Sequence, residues 1–349
     1  MFQALSPEGQ QLVEPFPEEF LLVEMYRDMV MARVLDSWLM KLQRMGKVAI
    51  HAPSVGQEAV GVGTAYALED GDWVFPLYRE LPVYVARKIP VREIVNRYLA
   101  NSEDPLKGSD FAIYGNKAHR IVPAPIAVGL NISLAVGFSL AFKIRRSDAV
   151  VLNYFGDGAT SKGEFHEALN FAGVFKAPVV FICTNNMYAI STHVSRQTAA
   201  ETIADKAVAY GIEGVRVDGN DVVACFLAAK KAMEKARRCD GPTLIEAVTY
   251  RVGPHTTADD PSRYRDDEEV SGWKAKDPIT RMKKLLVARG LWRHEDDEKL
   301  WKTCEEQIKA VLEECEKIPP LHPSVIFENV YGVEPWHLQE QKQDYSQQL

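Results

Sequence analysis

Residues 150–186, VVLNYFGDGATSKGEFHEALNFAGVFKAPVVFICTNN, contain two β-branched, apolar runs, each closed by oxygen-bearing side chains. The first run, VVLNYF, ends at Gly156-Asp157-Gly158-Ala159, and the second, PVVFICT, ends at Asn185-Asn186. Between them Phe165, Leu169, Ala172 and Phe175 recur at helical spacing, which predicts a helix over Ser161 to Phe175 sealing against a sheet. A strand, helix, strand unit with a right-handed crossover sets the strands side by side and parallel, so the crevice outside their carboxyl ends receives both tips. Asp157 and Asn186 together can then hold one hard cation. Mg²⁺ takes one or two side-chain oxygens and leaves the rest of its octahedron to water and phosphate. The layout predicts a metal-bound diphosphate.

The same alternation extends outward. From about Val48 to Arg251 strand-like runs alternate with helical patterns, the signature of an α/β fold in which helices cover both faces of a parallel sheet. GVRVD (214–218) and TLIEAVTYR (243–251) are further strands, and Val222 to Arg237 is a helix after the turn Asp218-Gly219-Asn220. Upstream, residues 17–45 read as one amphipathic helix with Leu22, Met25, Met29, Val34, Trp38, Leu42 and Met45 on its stripe and Gly46 as its stop. Downstream of a polar loop at 255–270, helical patterns at 277–289 and 296–317 turn Leu285, Leu286, Trp301, Ile308, Val311 and Leu312 inward, and the helical tail ends at Pro319-Pro320. The chain thus divides into an N-terminal helical arm (1–47), an α/β domain (48–270) and a C-terminal helical extension (271–349). At 349 residues, one large domain with helical additions fits as well as two domains.

Composition excludes several classes of function. The formal charge of −7 is mixed along the chain, with no basic stripe for nucleic acid and no polybasic patch for anionic lipid. No apolar run is long enough to span a bilayer, and the first residues lack the basic and apolar regions of a signal peptide, so the expected location is the cytosol. Cys183, Cys225, Cys239, Cys304 and Cys315 form no CxxC pair and no zinc spacing with histidine; they read as reduced thiols.

Segments in a fixed order carry a resemblance: VGQEAVGVG (55–63), VFPLYRELP (74–82), the GDG-to-NN stretch above, NNMYAIST (185–192), VRVDGNDV (215–222), GPTLIEAVTYR (241–251) and GPHTTADDPSRYR (253–265). From about Glu18 to Pro335 the chain resembles the α subunits of heterotetrameric 2-oxo acid dehydrogenases, the decarboxylating components of the pyruvate and branched-chain complexes. The resemblance implies the parallel-sheet, thiamine diphosphate-binding fold and the cofactors thiamine diphosphate and Mg²⁺. It implies Asp157, Asn186 and the backbone carbonyl of Tyr188 as metal ligands. Gly156, Gly158 and Ala159, at the start of the helix after GDG where free N–H groups favour anions, are implied against the cofactor, and so is Ala189 after NN. Tyr78 and Arg79 are implied on its phosphates, where an Arg fork suits bidentate recognition. His255, in an irregular loop expected to be exposed, is implied as the active-site histidine on the acyl-transfer path. A bulky apolar residue must support the bent cofactor; in PAPIAVGLN (123–131) the resemblance points to Val128, with Ile126 as its rival. The other histidines, at 51, 119, 166, 193, 294, 322 and 337, show no mutual metal spacing, and only His119 with Arg120 is a candidate for the cofactor's neighbourhood.

An absence is equally informative. Activation of the cofactor needs a carboxylate on its pyrimidine ring, and the chain offers no convincing one: Glu58 precedes the small-residue helix AVGVGTAYA and reads as structural or interfacial. In the resembling family that carboxylate belongs to a β subunit, so the implied assembly is two α and two β chains, inert as α alone, serving the lipoyl domain of a dihydrolipoyl acyltransferase. The departures are Thr256 where mitochondrial relatives carry a regulatory serine, and Thr184 where animal branched-chain relatives carry an arginine. The expected reaction is oxidative decarboxylation of a branched-chain 2-oxo acid, with pyruvate and acetoin dehydrogenase as alternatives. A nicotinamide dehydrogenase is disfavoured by the lack of a GxGxxG after an early strand, and a non-catalytic scaffold by the joint presence of Asp157, Asn186, Arg79 and His255.

Overall fold

Alternate residues of the inner strands commit to different cores. In a computed structural model, which describes residues 1–109, 114–123, 126–328 and 330–347, strands numbered along the chain as β1 (Trp73–Phe75), β2 (Val151–Gly156), β3 (Val179–Asn185), β6 (Glu213–Asp218) and β7 (Thr243–Val248) form a five-stranded parallel sheet in the order β1-β2-β3-β7-β6. Leu152, Tyr154, Val180, Ile182, Ile245 and Ala247 face one core. Val151, Phe155, Val179, Phe181, Cys183 and Leu244 face the other. The two-residue period of a strand requires this division when both faces are covered, and it explains why these strands read as continuous apolar runs.

Helices α5 (Leu130–Ile144) and α6 (Gly163–Phe175) fill the second core with Ile132, Ala135, Val136, Phe165, Leu169 and Ala172. Each large side chain buried this way stabilises the fold by about 1.5–3 kcal/mol. The first core is larger. It takes α1 (Glu19–Arg44), α2 (Glu58–Ala65), α3 (Leu81–Ala86), α4 (Val91–Leu99), α7 (Val222–Arg237), α9 (Pro278–Ala288) and α10 (His294–Cys315). Helix α2 lies close on α7 because of its small residues: a Cβ on Gly63 would stand 2.5 Å from the carbonyl oxygen of Val222. Asp221 caps α7 by accepting the N–H groups of Val223 and Ala224 at 3.1 and 2.9 Å.

The chain's first residues form a strap on the open edge of β6. Phe2 N–H donates to Arg216 and Asp218 N–H to Phe2, at 2.8 and 3.0 Å. Arg281 of α9 secures it, pairing with Asp218 and Asp221 while its guanidinium also donates to the carbonyls of Leu5 and Ser6.

Several expectations change. Asp157–Ser161 forms a 3₁₀ turn, so GDGA does not open directly into α6, which begins at Gly163. Residue 45 lies past α1 and is exposed, and Trp38 is only partly buried; the rest of that stripe is core. The strand expected over 243–251 ends at Val248, yet Thr249 and Arg251 still donate to the carbonyls of Asn185 and Asn186 at 2.9 and 3.4 Å. The 255–270 loop already contains the start of α8 (Asp267–Lys274), and the helical tail continues beyond Pro319-Pro320 to α11 (Trp336–Ser346). A two-residue hairpin, β4 (Tyr188–Ala189) and β5 (Thr192–His193), follows β3. All five cysteines are free. Among the described residues no helix is long and apolar enough to cross a membrane.

Candidate active site

The carboxyl ends of β1, β2, β3 and β7 open into one cavity of about 500 Å³. The residues expected at a cofactor all line it. Tyr78 and Arg79 come from the turn after β1, Gly156, Asp157, Gly158 and Ala159 from the end of β2, and Asn186, Tyr188 and Ala189 from the end of β3 and the hairpin. His255 closes the wall beyond β7, and Val128 and its rival Ile126 both face the space ahead of α5. Ala124 and Pro125 of the same segment lie outside the described residues.

At the β2 and β3 tips the donors are hard oxygens. Asp157 is 1% exposed, and its carboxylate accepts the Gln197 side-chain amide at 2.6 Å. Burial pushes its pKa up, against the opposing pull of that hydrogen bond and of Arg251. The Asn186 side chain gives its amide N–H to Oε1 of Gln57 at 3.0 Å, and its Oδ1 accepts the Tyr188 N–H at 3.4 Å. The Tyr188 carbonyl accepts from Arg251 at 3.0 Å and keeps its second lone pair. Among the described residues no three His, Cys, Asp or Glu side chains cluster to hold a metal. A cation here must therefore use carboxylate, amide and carbonyl oxygens together, a donor set that suits Mg²⁺.

Positive charge gathers next to these oxygens. Arg79 donates to the carbonyls of Pro53 and His255 at 2.6 and 2.8 Å. Arg251, fully buried, donates to Tyr188, Ile190 and the Tyr264 hydroxyl. Burial lowers the Arg251 pKa, and the neighbouring Arg79 and Arg265 lower it further. These bonds go to neutral oxygens, so the cations crowd one another and an anion between them would relieve the repulsion.

His255 is half-buried rather than exposed. Asp259 accepts its backbone N–H at 2.7 Å, which pins the loop. The ring Nδ1 stands 3.2 Å from Arg79 and 3.4 Å from Arg251. Two guanidinium donors on Nδ1 place the ring proton on Nε2. Burial, then Arg79 and Arg251, push the imidazole down to about 4, so it is neutral at pH 7.

Other groups of this site carry weak or no sequence signals. Arg251 could have been noticed as a cation ending an apolar strand run, whereas Gln57 and Gln197 are uncharged amides indistinguishable from surface residues. His51 also lines the cavity, contrary to its low rank, and is held by Asp36 at 3.1 Å and the Tyr98 hydroxyl at 3.2 Å. His119 instead pairs with Glu93 at 3.6 Å and is not among the lining residues. Thr184 and Thr256 both reach the cavity. Glu58 is buried in an ion pair with Arg33, in keeping with a structural role.

Comparison with known proteins agrees with this geometry. The chain is 42% identical over 352 residues to the 3-methyl-2-oxobutanoate dehydrogenase subunit alpha of Mycobacterium tuberculosis, covering 99% of this chain and 94% of that one. It is 41% identical over 347 residues to the pyruvate dehydrogenase E1 component subunit alpha of Acholeplasma laidlawii, covering 98% and 97%. The corresponding subunit of Staphylococcus aureus is 38% identical over 352 residues, covering 99% and 93%. The family described as dehydrogenase E1 component matches residues 26–324, most of the chain including every wall of the cavity, and this chain belongs to it.

Proposed function

We propose that this chain is the α subunit of a cytosolic 2-oxo acid dehydrogenase. It binds thiamine diphosphate and Mg²⁺, decarboxylates a branched-chain 2-oxo acid and passes the acyl group to a lipoyl domain. The observation that carries this reading is the meeting of Asp157, Asn186 and Tyr188 oxygens with Arg79, Arg251 and His255 in one cavity. Thiamine diphosphate would supply a carbon nucleophile and an electron sink for the pair left behind when the bond to the departing CO₂ breaks.

The chain's own groups divide the remaining work. Asp157, Asn186 and the Tyr188 carbonyl hold the metal, and Arg79 and Arg251 take the diphosphate charge. His255 presents an Nε2 proton donor that is kept neutral by burial and by its cationic neighbours, as a hydrogen-bonding group beside a reacting carbonyl should be. Val128 or Ile126 supports the bend of the cofactor.

Two features support a β partner. Among the described residues, the carboxylates lining the cavity are those of Asp157 and Glu80, and Glu80 already accepts the N–H groups of Leu77 and Arg79 at 2.8 and 3.0 Å. On this reading the activating carboxylate comes from another chain. Around the cavity mouth Ile126, Val128 and Ile190 are exposed, and along α5 and α6 so are Leu130, Leu134, Ile144, Phe171, Val174 and Phe175, apolar side chains suited to burial by a subunit.

Apolar lining by Val60, Leu77, Pro82, Ile126 and Ile190 favours a branched aliphatic substrate. Pyruvate is the second reading, favoured by the names of the Acholeplasma and Staphylococcus relatives. The deciding experiment titrates thiamine diphosphate with Mg²⁺ into this chain alone and into its co-expressed αβ complex, then assays the complex with 3-methyl-2-oxobutanoate and with pyruvate. Binding only in the complex and turnover of the branched acid are expected. Preference for pyruvate would replace the substrate assignment, and no binding in either sample would make the chain a scaffold.

A further inference from the structure

Gln57 is a buried amide with one end used and the other unused. It stands just before α2, 4% exposed, on the cavity wall. Its Oε1 accepts the Asn186 amide N–H at 3.0 Å, which fixes which way the Asn186 side chain faces and keeps Oδ1 on the side away from Gln57. Its Nε2 has no hydrogen-bond partner among the described residues. A buried N–H donor without an acceptor is costly, and native structures rarely keep one. The acceptor has to arrive with whatever fills the cavity.

The surroundings say what that acceptor is. Asn186 is held directly by Gln57, and both line the same cavity as Asp157 and Tyr188, so the free Nε2 belongs to the cavity that holds the oxygens suited to Mg²⁺. Arg251 reaches the same neighbourhood through the Tyr188 carbonyl. An anion rich in oxygen, bridging a divalent cation and guanidinium groups, is a phosphate or diphosphate group. We propose that Gln57 is a binding residue for the diphosphate: Oε1 positions Asn186, and Nε2 donates to a diphosphate oxygen. This rests on the function proposed above.

The test uses the αβ complex and thiamine diphosphate at saturating Mg²⁺, with Kd read by calorimetry. Gln57→Leu removes both ends of the amide and is expected to raise Kd about tenfold. Gln57→Glu keeps an acceptor for Asn186 but faces the phosphate with a carboxylate, and is expected to raise Kd by about a hundredfold. If Gln57 served only to hold Asn186, the order would reverse and Glu would be the milder change; that order, or an unchanged Kd in both variants, overturns the proposal. Melting temperatures of the cofactor-free complexes check assembly. Gln57→Glu is nearly isosteric, so if the Leu variant does not assemble, Gln57→Glu against wild type decides, with an unchanged Kd overturning the proposal. Failure of the wild-type complex to bind would instead remove the underlying function, and the proposal with it.

Discussion

Arg79 grips His255 twice, with Nη2 at 3.2 Å from the ring Nδ1 and 2.8 Å from the backbone carbonyl oxygen. A histidine held in this way responds to the charge of its neighbours more than to bulk pH. Without an anion, burial and the two guanidinium groups keep its pKa at about 4. A diphosphate beside those groups would offset their charge, so the His255 midpoint in an NMR titration is expected to move upward from about 4 when thiamine diphosphate and Mg²⁺ are added, while burial still holds it below its ordinary value. An unmoved midpoint would place the anion elsewhere.

The same shift sets a stability trend. Unfolded, this imidazole takes a proton near its ordinary 6.5, whereas the folded protein resists until about 4. The unfolded state therefore binds more protons across that window, and stability falls as pH falls from about 6.5 to 4. His255→Gln should flatten that part of the melting-temperature profile, and should cut turnover of the αβ complex by about 10²- to 10⁴-fold.

Glu80 runs in the opposite direction. Burial pushes its carboxyl up from 4.5 to about 7, only partly offset by the backbone N–H groups it accepts. The folded protein holds this proton where the unfolded chain has lost it, so the contribution is complete below 4.5 and is lost as pH rises through 7. Glu80→Gln retains a carbonyl for Leu77 and Arg79 and removes the titration. The variant should melt higher than wild type at pH 8, by the equivalent of about 1–3 kcal/mol, with little difference at pH 5.

Gly158 has no room for a side chain. A Cβ there would stand 2.7 Å from Cβ of Ala189, driving the turn after β2 away from the hairpin after β3. Gly158→Ala should cost about 1–3 kcal/mol of stability and weaken thiamine diphosphate binding, and Gly158→Ala with Ala189→Gly should restore much of both. A double variant as weak as the single one would show that the clash is not the cause.

Arg251 joins the hairpin to the loop carrying His255 through Tyr188, Ile190 and Tyr264. Lysine offers a point charge in place of a planar fork, so Arg251→Lys is expected to leave at least one of these acceptors unpaired. Calorimetry on the αβ complex should show affinity for thiamine diphosphate falling about tenfold or more, with a melting-temperature loss from the newly unpaired buried groups.

What could be read in advance followed physical rules with short range. The VVLNYF and PVVFICT strands, the helix between them and helix α7 depend on local period and capping, and Val222–Arg237 appears with the expected ends. The 3₁₀ turn at Asp157–Ser161 went unread because glycine and small residues fit a turn and a helix start equally well. The companions of the site were hidden for another reason. Gln57 meets Asn186, and His51 meets Asp36, only after distant segments pack together, and no local pattern marks those pairs.

The strap formed by the first residues has a consequence for handling the protein. Its contacts with Arg216 and Asp218 occupy part of the hydrogen-bonding rim that β6 would otherwise offer to any extended peptide. Arg281 locks it there by holding Leu5 and Ser6 from the far end of the sequence. Trimming those residues would uncover a templating edge and take two carbonyl acceptors from a buried cation, leaving it only Asp218 and Asp221, in the same stroke. A shortened preparation should tend to self-associate through β6 before its helices melt, and the loss of activity it shows would be a matter of solubility.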